Sequence, residues 1–155
     1  MRVGIGYDVH PLTAGRPLVL GGVRIEHSSG LDGYSDADVL THAVIDALLG
    51  AAGLGDIGTH FPSDDPANKN ASSMRMLERA VAMLSDAGYR VVNVDCVVIA
   101  QEPHLHRHLP AMSENLSRRL GTVGVNVKGK SPEGIGSLGH GAGIAAQAVA
   151  TIEEA

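Results

Sequence analysis

The run over residues 89–100 is the feature that most constrains the fold. It reads YRVVNVDCVVIA, which is rich in valine and almost continuously apolar. Runs of this kind are typical of strands that are covered on both faces, so we expect burial on both sides of this strand. The chain must build that core from Val, Ile, Leu, Ala and Met, because only 3% of its residues are aromatic.

Apolar periodicity and turn residues predict the remaining elements. Further strands are predicted over residues 2–10, ending at Pro11, over a hairpin at 17–27 that turns at Gly21 and Gly22, and over 123–128. Helices are predicted from an N-cap at Ser35 to about Gly50, over residues 72–87 and over 110–120, with a long ordered loop at 53–71. The Ala-rich segment over 144–154 looks helical locally. This pattern favours one α+β domain over residues 1–155, a ferredoxin-like sandwich with helices on one face of a mixed β-sheet.

Charge and composition exclude several classes of protein. The formal net charge of −5 and the few aromatic residues argue against a nucleic-acid partner, which needs a basic face or stacking platforms. Cys96 is the only cysteine and lies in an apolar run, so we expect a buried, inert thiol and a reducing compartment. No apolar run is long enough for a membrane span, and the strand pattern that starts at residue 2 leaves no signal peptide. We therefore expect a cytoplasmic protein without a membrane partner.

Asp8, His10 and His42 are the candidate metal ligands. Asp8 and His10 are two residues apart in a predicted strand and so project from the same face. His42 lies in the first predicted helix, with Asp38 and Asp46 one turn to either side. One carboxylate and two imidazoles suit zinc with an open fourth position. The alternative is that D-x-H is a chance match and that His42 is an ordinary surface or core histidine.

Two glycine-rich stretches are candidates for substrate binding. GLGDIG carries Asp56 between glycines, where a carboxylate and backbone N–H groups can bind a polyol. NVKGKSPEGIG carries Lys130, Ser131 and Glu133 on a turn, which is a plausible phosphate cradle, and Glu133 can hold Mg²⁺ against phosphate oxygens. Taken alone, the second stretch is better explained as a solvated hairpin with surface lysines.

These residues resemble the 2-C-methyl-D-erythritol 2,4-cyclodiphosphate synthase family of the non-mevalonate isoprenoid pathway. The resemblance runs almost from end to end and is carried by MRVGIGYDVHPL, GGVRI, SDADVLTHAVIDALLGAAGLGDIGTHFP, GYRVVNVDCVVIAQEP and NVK. It implies an α+β subunit assembled as a homotrimer, with active sites between neighbouring subunits. It also implies a strand at the C-terminal segment, and we adopt that expectation in place of the local helix.

The resemblance assigns roles to residues that match the family's motifs. It implies zinc on Asp8, His10 and His42, Mg²⁺ or Mn²⁺ on Glu133, and catalytic roles for Tyr34, Lys130 and Ser131. It implies substrate contacts from Ser35, Asp56, Ile57, Gly58, Phe61, Ser63, Asp64, Asp65, Ala100, Pro103, His104, Leu105, His106, Pro132, Ser137 and His140. Within that set, Asp56 and Gly58 match the positions that hold the erythritol hydroxyls, and residues 100–106 match the loop that receives the cytosine ring.

Several positions depart from the family's usual residues. Tyr34 replaces a histidine near the phosphates, Ser131 a threonine, Ser63 an aspartate and His104 a lysine. Near the C-terminus, Ser137, His140 and Ala142 stand where the family usually has an aromatic residue, an arginine and a glutamate. These last changes weaken the expectation of an arginine-lined cavity on the trimer axis that binds isoprenoid diphosphates.

The activity that the resemblance implies is an intramolecular cyclisation. The substrate, 4-diphosphocytidyl-2-C-methyl-D-erythritol 2-phosphate, would close to the cyclic diphosphate and release CMP. Two alternatives remain open at this point: a catalytically weak trimeric protein that binds zinc and the nucleotide or isoprenoid phosphate, and a metal-dependent phosphohydrolase.

Overall fold

A computed structural model describes residues 1–155, and it contains seven strands and five α-helices. The strands are β1 Arg2–Ala14, β2 Leu18–Leu20, β3 Val23–Ile25, β4 Ser29–Leu31, β5 Tyr89–Ile99, β6 Val125–Lys130 and β7 Gly143–Glu154. The helices are α1 Val39–Ala52, α2 Ile57–His60, α3 Ser73–Asp86, α4 Leu109–Leu120 and α5 Gly136–Gly139, with 3₁₀ turns at Pro66–Asn68 and His106–His108. None of the helices has the length and apolar character that a membrane span requires.

The main sheet has the strand order β4-β1-β7-β5-β6, and β2 and β3 form a separate hairpin. The sheet is mixed, because β5 and β6 run parallel while the other pairs are antiparallel. Parallel neighbours need a crossover, and α4 supplies it. The α+β prediction is confirmed, but the ferredoxin-like sandwich is wrong. In a ferredoxin-like fold the second and third of the four core strands are joined directly. Here the four long strands are β1, β5, β6 and β7, and helix α4 separates the second of them, β5, from the third, β6.

Helix α1 packs unusually closely against β1. A Cβ atom placed on Gly4 would lie 2.0 Å from the carbonyl oxygen of Ala47, and one on Gly6 would lie 1.9 Å from that of Ala43. Any side chain at either position would therefore clash with the helix backbone. These two glycines set the distance between β1, which carries Asp8 and His10, and α1, which carries His42.

The burial of β5 differs from the sequence prediction. Val91, Val94, Cys96 and Val98 face the helices and are buried, while the alternate residues are half-exposed or exposed. The expectation of burial on both faces is wrong for the single chain, because all three long helices cover the same face of the sheet. The prediction for Cys96 is confirmed: burial raises the pKa of its thiol to about 12.

The two ends of the chain pair with each other in the middle of the sheet. The C-terminal segment forms β7, which pairs with β1 on one side and with β5 on the other. The strand implied by the resemblance is therefore confirmed. Hydrogen bonding to a neighbouring strand on each side outweighs the local helical preference of this segment. β1 also continues to Ala14, past the expected end at Pro11, because β4 pairs with its last three residues.

Helix α1 begins three residues later than predicted. Its N-cap is Asp38, not Ser35, and helical geometry starts at Val39. The Asp38 carboxylate is fully buried and accepts hydrogen bonds from the backbone N–H groups of Gly21, Gly22 and Thr41 and from the Thr41 hydroxyl, at 2.8–3.0 Å. Asp38 therefore ties the β2–β3 turn to the start of α1.

We expect Asp38→Asn to lower the free energy of unfolding by about 3 kcal/mol, because an amide NH₂ would face N–H groups that need an acceptor. Urea unfolding of this variant, with Asp86→Asn at the exposed end of α3 as the matched control, measures the effect. The control should change stability by no more than about 0.5 kcal/mol. Equal unfolding midpoints for the two variants would contradict the capping role.

Candidate metal centre and substrate cavities

Asp8, His10 and His42 converge on one point between β1 and α1. Asp8 Oδ2 lies 2.8 Å from His10 Nε2 and 3.0 Å from His42 Nδ1, and the two imidazole nitrogens are 3.3 Å apart. All three ligand atoms lie within 4.8 Å of one another. One carboxylate oxygen and two imidazole nitrogens at this spacing form a donor set that suits a divalent ion such as zinc.

The hydrogen bonds behind the two rings fit metal binding. His10 Nδ1 lies 3.0 Å from the carbonyl oxygen of Asp32, so this nitrogen carries the proton and Nε2 is free to act as a ligand. His42 Nε2 lies 3.1 Å from the Ser35 hydroxyl and 2.8 Å from the Ser73 hydroxyl. In each ring, the nitrogen that faces the cluster is the one without an outer partner.

The charge of Asp8 is stabilised by its two histidine neighbours. Burial acts to raise the pKa of this carboxyl, but hydrogen bonds and charge from His10 and His42 outweigh it and lower the pKa to about 2. The hydrogen bond to Asp8 in turn raises the pKa of His10, against the opposing effect of burial. Asp8 is therefore an ionised ligand throughout the neutral pH range.

The two other carboxylates near His42 along the helix point elsewhere. Asp38 serves as the N-cap described above. Asp46 accepts a hydrogen bond of 2.8 Å from the backbone N–H of Ile57, which anchors the start of α2 against α1, and burial raises its pKa. Neither residue belongs to the group of three possible metal ligands.

The metal cluster opens into a cavity of about 260 Å³. Nine of its eleven lining residues are predicted site residues: Asp8, His10, Tyr34, Ser35, His42, Ile57, Gly58, Phe61 and Ser63. Asn68 and Met76 complete the lining, and neither was predicted from the sequence as a site residue. Met76 belongs to the buried apolar stripe of α3, which looks like ordinary core, and no pattern distinguishes Asn68 from its polar neighbours. The structure thus brings the metal cluster, Tyr34 and five of the sixteen predicted substrate contacts to one place.

A second cavity, of about 220 Å³, contains seven of the fourteen other predicted residues. It is lined by Ala100, Gln101, Pro103, His104, Leu105, His106, Leu109, Gly129, Lys130 and Ser131. It shares no residue with the metal cavity. Within one chain, the predicted cytosine loop and phosphate turn therefore form a separate site from the predicted metal site.

The remaining predicted residues line neither of these two cavities. They are Asp56, Asp64, Asp65, Pro132, Glu133, Ser137 and His140. Asp56 caps α2 through Thr59, whose hydrogen bonds lower the pKa of the carboxyl. Glu133 is exposed, with its backbone at a φ of 57° and its N–H bonded to the Ser131 hydroxyl at 3.0 Å. His140 lines a third cavity, of about 390 Å³, with His27 and Glu102.

The fold and the site define an α+β protein with a three-residue candidate metal centre beside a substrate-sized cavity. The chain belongs to the YgbB family, whose model matches residues 1–153. The 2-C-methyl-D-erythritol 2,4-cyclodiphosphate synthase of Bordetella avium is 58% identical over 150 residues, which cover 96% of this chain and 93% of that protein.

Two solved structures have the same fold as this chain. The bifunctional IspDF of Campylobacter jejuni matches with a TM-score of 0.95 and 39% identity over 99% of this chain, which spans 42% of the length of that protein. A 2C-methyl-D-erythritol-2,4-cyclodiphosphate synthase in a CDP-bound form matches with a TM-score of 0.90 and 34% identity, over 98% of this chain and 100% of that one.

Proposed function

We propose that this chain is a 2-C-methyl-D-erythritol 2,4-cyclodiphosphate synthase, a phosphorus–oxygen lyase of isoprenoid precursor biosynthesis. It converts 4-diphosphocytidyl-2-C-methyl-D-erythritol 2-phosphate to the cyclic diphosphate and releases CMP. The observation that carries the proposal is the Asp8, His10 and His42 cluster, which lies in a cavity with the predicted substrate residues. The membership of the family and the full-length match to proteins of this name support it.

Asp8, His10 and His42 would hold zinc, because their donor set and outer hydrogen bonds fit that ion. When bound, zinc supplies a Lewis acid that polarises a phosphate oxygen. Glu133 would hold Mg²⁺ or Mn²⁺, since one exposed carboxylate together with substrate phosphates is the usual way in which Mg²⁺ is bound.

The residues of the chain mainly position the substrate and neutralise its charge. The substrate contains both the nucleophile, its 2-phosphate oxygen, and the electrophile, its β-phosphorus, so the bond that forms closes a ring and the bond that breaks releases CMP. Holding such groups in line is worth about 7–11 kcal/mol in favourable intramolecular reactions. Lys130 and the Ser131 hydroxyl line the second cavity, where they would stabilise the charge that develops at the β-phosphorus.

The separation of the two cavities supports a homotrimer with shared active sites. One face of the sheet has no helix over it, and there β1 exposes a row of apolar side chains, from 66% exposure at Val3 through Ile5 and Tyr7 to 47% at Val9. Large apolar patches of this kind mark subunit interfaces. Covering this face with neighbouring copies would bring the metal cavity of one chain to the nucleotide cavity of the next.

Light scattering at micromolar concentration is expected to give three times the 16.0 kDa mass of the chain. Ile5→Lys should lower that mass, because it places a charge in the apolar row of β1. Val123→Lys is the matched control: Val123 is 98% exposed in the turn between α4 and β6, outside the apolar row of β1, and the trimer should persist. A monomeric parent would contradict both the assembly and the shared active site.

Tyr34 lines the metal cavity at the position where the family usually has a histidine. We expect Tyr34→Phe to lower kcat about 10-fold, the scale of one lost hydrogen bond to a phosphate oxygen, and to leave zinc content unchanged. We expect Tyr34→His to keep or raise kcat. Steady-state kinetics test this, with Tyr89→Phe, whose hydroxyl bonds Arg2 outside the cavity, as the control. Parental kcat and KM in Tyr34→Phe would place the phenol outside the reaction.

Product identification tests the function itself. The protein is incubated with substrate, Zn²⁺ and Mg²⁺, and the products are followed by phosphorus NMR. The cyclic diphosphate together with CMP supports the synthase. Linear phosphates would instead indicate a metal-dependent phosphohydrolase, and an unchanged spectrum with bound substrate would indicate a catalytically weak binding protein.

A further inference from the structure

The tautomer of His42 depends on groups that the metal does not touch. The nitrogen of His42 that faces the cluster is Nδ1, and Nε2 contacts two hydroxyl groups, those of Ser35 and Ser73. A hydroxyl can either donate or accept a hydrogen bond. These two contacts alone therefore do not decide whether Nε2 carries a proton. On the other side of the ring, the ionised Asp8 carboxylate lies 3.0 Å from Nδ1 and accepts a hydrogen bond from it when no metal is bound. His10 differs, because a backbone carbonyl, which can only accept, fixes its proton on Nδ1.

Asp36 removes this ambiguity. The Ser73 hydroxyl makes a short hydrogen bond to Asp36 Oδ1, and the Ser73 backbone N–H donates to Asp36 Oδ2 at 3.0 Å. An ionised carboxylate only accepts, so the single proton of the hydroxyl points to Asp36. The Ser73 oxygen must then accept from His42 Nε2–H across the 2.8 Å contact. Ser73 is fully buried, so water does not compete for these bonds.

We propose that Asp36 and Ser73 are positioning residues that hold His42 in the Nε2–H tautomer, so that Nδ1 presents its lone pair to the metal. This inference rests on the metal centre of the proposed function but not on the cyclisation reaction. Asp36 lies in the loop before α1, and Ser73 is the first residue of α3. The relay therefore makes zinc affinity dependent on how α3 docks against that loop.

Asp36→Asn is the sharpest variant, because it keeps the shape of the side chain and reverses one hydrogen bond. The amide oxygen of this variant can face either the Ser73 backbone N–H, now 3.0 Å from Oδ2, or the Asp38 backbone N–H, now 3.2 Å from Oδ1. The closer Ser73 N–H favours the orientation in which the NH₂ group faces the Ser73 hydroxyl. Ser73 must then donate to His42 Nε2, which leaves the ring proton on Nδ1. We expect zinc affinity to fall about 10–100-fold, the range typical of lost outer-sphere partners. Asp86→Asn, at the opposite end of α3 from Ser73, should bind zinc like the parent.

Zinc affinity is measured by competition with a chelator, and the tautomer by ¹⁵N NMR of the histidine rings. The metal-free parent should show a proton on His42 Nε2, and Asp36→Asn should lose that proton and keep one on Nδ1. If Asp36→Asn does not fold, Ser73→Ala takes its place, with a smaller expected loss of affinity because the Ser35 hydroxyl remains. Parental zinc affinity in both folded variants, or a metal-free parent in which His42 Nε2 carries no proton, would overturn the inference while leaving the proposed function intact. A parent that binds no zinc would overturn both.

Discussion

Replacement of His42 by alanine is expected to lower kcat by about 1,000-fold or more and zinc content to well below one ion per subunit. The ring supplies one of only three protein ligands, and its loss leaves Asp8 and His10 as an incomplete set. The Lewis acid is worth several kcal/mol of transition-state stabilisation, and about 4 kcal/mol corresponds to 1,000-fold in rate. Metal analysis and CMP release on the same sample measure both effects.

His27→Ala is the matched control for this variant. His27 is half-exposed, lies in the third cavity and belongs to neither of the two proposed substrate cavities. It should retain parental zinc and activity. The His42 variant should also keep the mass of the trimer, because His42 faces the cavity and not the open side of the sheet. Stoichiometric zinc in His42→Ala would show that this residue is not a ligand.

Gly6→Ala is expected to lower the free energy of unfolding by about 3 kcal/mol or more, at the upper end of what overpacking costs. The added Cβ would meet the carbonyl oxygen of Ala43 at 1.9 Å, and a backbone atom cannot swing aside as a long side chain can. Helix α1 must then move away from β1, which separates His42 from Asp8. We therefore expect zinc affinity to fall together with stability.

Gly50→Ala, on helix α1 itself, is the contrasting variant. A Cβ there meets only the carbonyl oxygen of Ile5, at 3.9 Å, which is an ordinary contact. Alanine inside a helix is favoured over glycine by about 0.5–1 kcal/mol, so this variant should be slightly stabilised and should bind zinc normally. Urea unfolding and chelator competition on the pair separate the steric effect from a general effect of adding a methyl group. Equal stability of the two variants would contradict the role of Gly6 as a spacer.

Elements with a strong apolar period were predictable from the sequence. The α3 prediction over residues 72–87 agrees with Ser73–Asp86, and the turn at Gly21 and Gly22 agrees with their positive φ angles of 56° and 70°. The C-terminal segment was not predictable from local preference, because alanine favours a helix and only pairing with both β1 and β5 makes β7 a strand. The parallel pairing of β5 with β6 likewise depends on tertiary packing.

The candidate metal ligands were predictable in part. Asp8 and His10 share one face of a strand, but the spacing alone left His42 open between a ligand and an ordinary histidine, and the family resemblance completed the set. The relay from Asp36 to Ser73 was not predictable, because 37 residues separate the two and both look like ordinary helix-start residues. The division of the predicted substrate residues between two cavities was also hidden, since it depends on where β6 and β1 lie in the sheet.

Cyclisation should depend on one metal ion held by Asp8, His10 and His42. The most direct measurement removes metal with a chelator, returns zinc in steps in the presence of Mg²⁺, and follows CMP release at each step. The rate of CMP release is expected to rise in proportion to bound zinc and to reach its maximum at one ion per subunit. A metal-stripped protein that cyclises its substrate at the parental rate with Mg²⁺ alone would contradict this dependence.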